Sequence, residues 1–187
     1  MSARDYASLD REKLIVFATA CALHVSGLLL EFARVDRRDQ LNGWLGQLQD
    51  LAASPATTTA QRLKAAVEAA PEATEDDSNS PNYLVMRALS TIAYAAEVWI
   101  AEDPVKYARW SAEEAEALML MLQEDLPSSA PLLGDLEIEA QSHLLADLAH
   151  VPRDGIRALL AREEGAPISA LARSAAATYA KTEGWTF

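Results

Sequence analysis

At 187 residues, half of them apolar, 24% charged and only seven glycine, the chain has the composition of one folded domain and not of a disordered or fibrous protein. Its net charge of −12 arises entirely in residues 55–151, which carry five basic and seventeen acidic side chains; residues 1–54 carry six and seven, and residues 152–187 five and four. An acidic middle repels phosphate backbones and anionic lipid, which argues against nucleic-acid and membrane partners, and it attracts basic proteins.

The N-terminal "MSARDYASLDREK" mixes charges of both signs without a cleavage-site pattern, and the single cysteine, Cys21, has no partner for an internal disulfide. Both features predict a cytoplasmic protein. Alanine and leucine dominate and β-branched residues are scattered, so the expected class is all-α: a single domain, residues 1–187, of about eight helices around two apolar central ones.

The first helix is predicted from Asp10 to Val35 and contains "LIVFATACALHVSGLLL", apolar on every side. At 1.5 Å per residue these residues fall just short of a bilayer core, and neither flank has an aromatic or basic belt. The stretch is therefore read as a core helix wrapped by others. Its small residues Ala18, Ala20, Ala22 and Gly27 would pack against Ala88, Ala93, Ala95 and Ala96 of a second apolar helix. His24, on a stripe with Phe17, Cys21 and Leu28, is expected to be a neutral buried imidazole bonded to a carbonyl or hydroxyl. The competing reading, a general base, would need an orienting carboxylate, for which Glu31 is the only nearby candidate and lies a turn too far along.

Next, Asp36 is placed as N-cap of a helix with the stripe Leu41, Trp44, Leu45, Leu48 and Leu51. Thr57 to Thr59 cap "AQRLKAAVEAA", which Pro71 stops. Residues 71–82, "PEATEDDSNSPN", have turn formers and acids but no apolar period, and are read as an exposed acidic loop. "NYLVMRALSTIAYAAEVWIAE" is the second apolar helix. Asp103–Pro104 is the N-cap and first position of the helix after it, whose Glu113, Glu114 and Glu116 face away from Ala108, Ala112, Ala115, Leu118 and Leu122. After the loop "PSSAPLLG", a helix capped by Asp135 runs to His150. Pro152 opens a short helix ending at Gly165, and a last helix from Pro167 bears Ile168, Leu171, Ala175 and Tyr179, followed by the tail "EGWTF"; residues 166–187 form this C-terminal segment.

Candidate chemistry is sparse. Glu139, His143, Asp147 and His150 share one helical face, yet Ser142 stands where a Glu-x-x-His pair needs histidine, so that face is read as solvated acid–imidazole pairs and not as a metal site. There is no G-x-S-x-G, phosphate-binding glycine loop, Cys pair or H-E-x-x-H, so no catalytic, cofactor-binding or metal residue is assigned. Tryptophans favour interface hot spots; Trp44 is read as core, Trp110 as exposed, and Trp185 as docking on the bundle or meeting a partner.

The segments "FATACALHVSGLLLEF", "LKAAVEAAPEATEDD", "AEDPVKYARWSAEEAEALM" and "EIEAQSHLLADL" with "IRALLAREEG" resemble a bacterial all-helical family known as domain of unknown function four-sixteen, across most of residues 10–165. The chain departs from it where Ala22–Leu23–His24 and Ser26–Gly27–Leu28 replace the family's Glu-Arg and Pro-Asn-Tyr. The resemblance implies a cytosolic all-α domain whose relatives are encoded beside polymorphic toxins as immunity proteins, and it brings no functional residues with it.

Together these features predict an acidic protein-binding module, an immunity protein that neutralises a basic toxin. Glu72, Glu75, Asp76, Asp77, Trp110, Glu113, Glu114 and Glu116 form the expected contact surface. The alternatives are a helical housekeeping protein, dimeric through the first or the second apolar helix, and a metal-dependent enzyme centred on His143 and His150.

Overall fold

The computed structural model describes residues 6–78, 80–124, 126 and 132–185. Among them the protein is all-α: α1 (Arg11–His24), α2 (Ser26–Phe32), α3 (Arg38–Ala53), α4 (Thr57–Glu68), α5 (Pro81–Ile100), α6 (Pro104–Glu124), α7 (Leu133–His150), α8 (Ile156–Glu164) and α9 (Pro167–Thr182), with short 3₁₀ turns between. The predicted loop at 127–134 and the tail residues 186–187 fall largely outside the described residues.

The apolar N-terminal stretch is not one helix but two. Asp10 caps the start of α1, accepting from the Lys13 amide. At Val25 the axis bends by 43°. The cause is the Ser26–Gly27 pair: Ser26 Oγ donates to the Leu23 carbonyl at 2.7 Å, competing with the regular ladder there. Every residue from Leu14 to Leu29 is buried, so α1 and α2 are enclosed by the chain's own helices. Among the described residues no single helix is long and apolar enough to cross a membrane.

α1 packs on α5 and α6, with α3, α7 and α8 completing its enclosure. The apolar pairing of α1 with α5 is as expected, but Gly27 belongs elsewhere: a Cβ there would lie 2.2 Å from the Ser169 carbonyl oxygen, so its missing side chain admits the backbone of α9. The stripe of α3 is buried as predicted, Trp44 included. Asp36, placed as an N-cap, instead sits in a 3₁₀ turn and pairs with Arg34, while the α3 N-cap position is Arg37 with no side-chain bond. Likewise α4 starts without a side-chain cap, and Asp135 lies inside the first turn of α7. Asp103 does cap α6, accepting from the Lys106 amide at 3.0 Å.

The C-terminal segment docks. Gly184 takes φ +71°, the left-handed conformation that ends a helix, and the Trp185 amide returns to the Ala180 carbonyl at 2.8 Å. The indole then packs edge-on against Phe32 of α2, 5.6 Å between centroids, and against Tyr179, closing the α2–α9 interface.

Candidate functional site

Two groupings of charged side chains stand out, one dry and one wet. The dry one centres on His24 in the last turn of α1. Its Nδ1 lies 3.1 and 3.0 Å from the two carboxylate oxygens of Glu137 on α7, and its Nε2 lies 3.1 Å from Glu163 Oε2 on α8. With a carboxylate at each ring nitrogen, both nitrogens donate and the ring is an imidazolium. Burial pushes the His24 pKa down, but the charges and hydrogen bonds of Glu137 and Glu163 more than reverse this and raise it to about 9. Burial also pushes Glu163 up, and hydrogen bonds from His24 and Arg162 bring it below the usual carboxylate range. Gln141, one turn along α7, donates to Glu137 Oε1 at 2.7 Å and to the Ala112 carbonyl of α6 at 3.2 Å. Arg162 donates to Glu163 Oε1 and pairs with Asp147 at 2.8 Å, connecting the cluster to the surface.

This corrects the sequence reading of His24: the ring is charged, and its partners are carboxylates 113 and 139 residues away, not a carbonyl or hydroxyl. Glu31, the nearby candidate, pairs with Arg173. An imidazolium with both N–H groups engaged has no lone pair for a substrate proton, so the grouping is a clamp joining α1, α7 and α8. A signal for it was present in the sequence. Leu133, Glu137, Gln141, Leu144 and Leu148 recur at helical spacing, which sets Glu137 and Gln141 inside an apolar stripe, and Glu163 continues the stripe Ile156, Leu159 and Leu160.

The neighbouring face of α7 carries Glu139, His143, Asp147 and His150, all exposed or half-exposed. Among the described residues no three His, Cys, Asp or Glu side chains are gathered as metal ligands.

The wet grouping lies where α6 meets α5. Trp110, 36% exposed, packs edge-on to Tyr107 at 5.2 Å and tilted to Tyr94 at 5.5 Å. Lys106 Nζ stands 4.4 Å from the centroid of the Trp110 ring. Tyr94, Trp110, Glu113, Glu114 and Ala117 line an open hollow of about 360 Å³.

The predicted contact residues divide accordingly. Trp110, Glu113 and Glu114 converge on that hollow, and Glu116 lies on the same helix, half-exposed. Glu114 is held by Arg87 in a two-pronged pair, whereas Glu113 meets Arg109 only at 3.8 Å with both side chains more than half exposed. The acidic loop is more structured than expected. Glu72, read as exposed, is buried in a 3₁₀ turn because Arg37 reaches it with two hydrogen bonds, at 2.9 and 3.1 Å. Glu75 folds the loop onto itself, accepting from the amides of Asp76 and Asp77 and from Ser80 Oγ. Asp76 and Asp77 remain exposed.

Of the two apolar helices, α1 is buried by its own chain from Leu14 to His24, and α5 keeps a half-exposed outer stripe. Comparison with family models, with curated proteins and with solved structures finds no match to this chain.

Proposed function

We propose that this protein is an acidic partner-binding module of the cytoplasm, an immunity protein that binds and neutralises a basic bacterial toxin, and that it is a divergent relative of the helical family it resembles. The observation that carries the reading is the outward-facing hollow in which Trp110 and Tyr94 stand beside Glu113 and Glu114. Aromatic side chains supply contact area at low entropic cost, and carboxylates around them steer and select a cationic partner. The residues 57–124 that build this side carry five basic and twelve acidic groups, net −7. The engagement of both His24 nitrogens by carboxylates favours a binding role over catalysis at that buried position.

The test is co-expression with the product of the adjacent gene. The reading expects a stable complex and relief of that product's toxicity. Glu113→Lys should weaken the complex several-fold, mainly through slower association and most strongly at low salt. Glu114 is not a suitable choice, because reversing it would also break its pair with Arg87. A neighbouring product that neither binds nor poisons would overturn the proposal.

A further inference from the structure

Of the five large apolar side chains that stand exposed among the described residues, four lie on α6, on α7 or at the residue that leads into α7: Trp110, Leu120 at 48%, Leu132 at 54% and Ile138 at 41%. The same stretch is where positive charge runs out. From Trp110 to Pro152 the sequence has nine Asp and Glu and no Lys or Arg. Arg109, Arg87, His24 and Arg162 reach in to Glu113, Glu114, Glu137 and Asp147. Glu124, Asp135 and Glu139 meet no cation among the described residues.

Two of the apolar side chains share one seam. Gln123 Oε1 accepts from the Gly134 amide and Gln141 donates to the Ala112 carbonyl, so α6 and α7 lie side by side and run in opposite directions. A Cβ on Gly134 would fall 2.5 Å from Leu120 Cδ2, so the missing side chain lets Leu120 lie across onto α7. Ile138 follows one turn along the same side of α7. Glu116 and Glu124 stand one turn before and after Leu120, and Asp135 stands one turn before Ile138. The outcome is an apolar strip with carboxylates along both edges.

We propose that the α6–α7 seam is the docking face for a basic amphipathic helix of the protein partner, its apolar side chains on Leu120 and Ile138 and its lysines or arginines against Glu124 and Asp135. The assignment rests on the partner-binding reading above and adds the shape and chemistry of what is bound. Charge selects the occupant: a second copy packed face to face would set carboxylates on carboxylates, and an anionic membrane would be repelled in the same way. Backbone chemistry selects its conformation. The sides of two helices offer no free N–H or C=O, so a segment lying on them has to satisfy its own backbone, which a helix does. From Glu113 to Glu124 the α6 edge runs about 16 Å, which about eleven residues of partner helix cover.

The experiment titrates the full chain with three synthetic helices of about eighteen residues. One has a leucine stripe flanked by lysines, one has the same lysines with alanine in place of leucine, and one has the leucine stripe flanked by glutamates. The first should bind about tenfold or more tighter than either control and should move the amide resonances of Leu120, Gly134 and Ile138. Ile138→Gln, and Glu124→Lys with Asp135→Asn, should each weaken it about fivefold or more, while Val35→Gln, an exposed apolar site on another part of the surface, should change nothing. Where a variant melts early, the amide map on the native chain decides alone. Equal binding of the alanine helix, resonance shifts gathered on other helices, or a dimer that Ile138→Gln dissolves in light scattering overturns the seam. A toxin captured with unchanged affinity by both seam variants overturns the seam alone and leaves the module reading standing. A lysine–leucine helix bound as described, beside an inert neighbouring gene product, overturns the immunity reading alone.

Discussion

At His24 and at Trp110 the chain sets carboxylates beside cations, and the two regions share little else. Around His24 the side chains of Glu137 and the imidazole are fully buried and that of Glu163 is 9% exposed; at the α6 surface Glu113 and Arg109 are 60% and 54% exposed. A dry charge cannot fall back on water, so each member of the clamp is obligatory once one is present, and the arrangement is fixed to the three helices that supply it. A wet charge exchanges its partner for solvent at little cost and is available to another molecule. The difference separates what holds this fold together from what it can offer outward.

The sharpest way to break that contrast is to remove the imidazole. His24→Ala leaves Glu137 and Glu163 facing each other without their cation, and should cost about 3–5 kcal/mol in urea unfolding. Replacing His24, Glu137 and Glu163 together by leucine should recover most of that loss, because no unpaired charge remains. If the single substitution is as stable as the native protein, the clamp does not exist as described.

The pH dependence of stability is the next largest effect. His24 is raised from 6.5 to about 9 on folding, so its contribution is complete below pH 6.5 and is lost as pH rises through about 9. The loss corresponds to about 3 kcal/mol. Glu163 is lowered on folding, so its contribution is complete above the ordinary glutamate range and is lost as pH falls through its depressed value. Urea midpoints should therefore be highest near pH 5–6.5 and fall toward alkali, and the triple leucine variant should lose the alkaline slope.

A smaller loss is expected at the α2–α9 contact. Gly27→Ala puts a methyl group 2.2 Å from a backbone oxygen, which only a shift of α9 can relieve, and should cost about 1–3 kcal/mol. Quenching or red-shifting of Trp185 fluorescence would report the same loosening, because the indole packs on Phe32 across that junction.

Helical class, the enclosed N-terminal stretch and the buried stripe of α3 were legible in the sequence because each follows from local periodicity. The bend at Val25 was missed because an unbroken apolar run hides a backbone choice made by one serine hydroxyl. The cap at Asp36 was misplaced for a related reason: a 3₁₀ turn there shifts the helix start without altering composition, whereas α7 begins two residues before Asp135. The clamp was not legible because its members interrupt apolar stripes on three helices, and local periodicity carries no information on partners 113 and 139 residues apart. At the surface the sequence located Trp110 and Glu113 together, since one helix carries both, but it could not reveal that Tyr94 completes the hollow or that Arg37 draws Glu72 inward.

The smallest predicted effect tests the wet side of the comparison. Glu113→Gln keeps shape and removes charge from a side chain whose pairing with Arg109 is long and solvated. The unfolding midpoint should stay within about 0.5 kcal/mol of the native protein, since exposed pairs of this kind contribute little. Glu137→Gln is the same chemical change in the buried clamp, and there it weakens a charged hydrogen bond that nothing else replaces. Measured side by side, the pair of variants isolates environment from chemistry. Equal losses would mean that Glu113 is structural, and it would then be unavailable to the basic partner proposed for this surface.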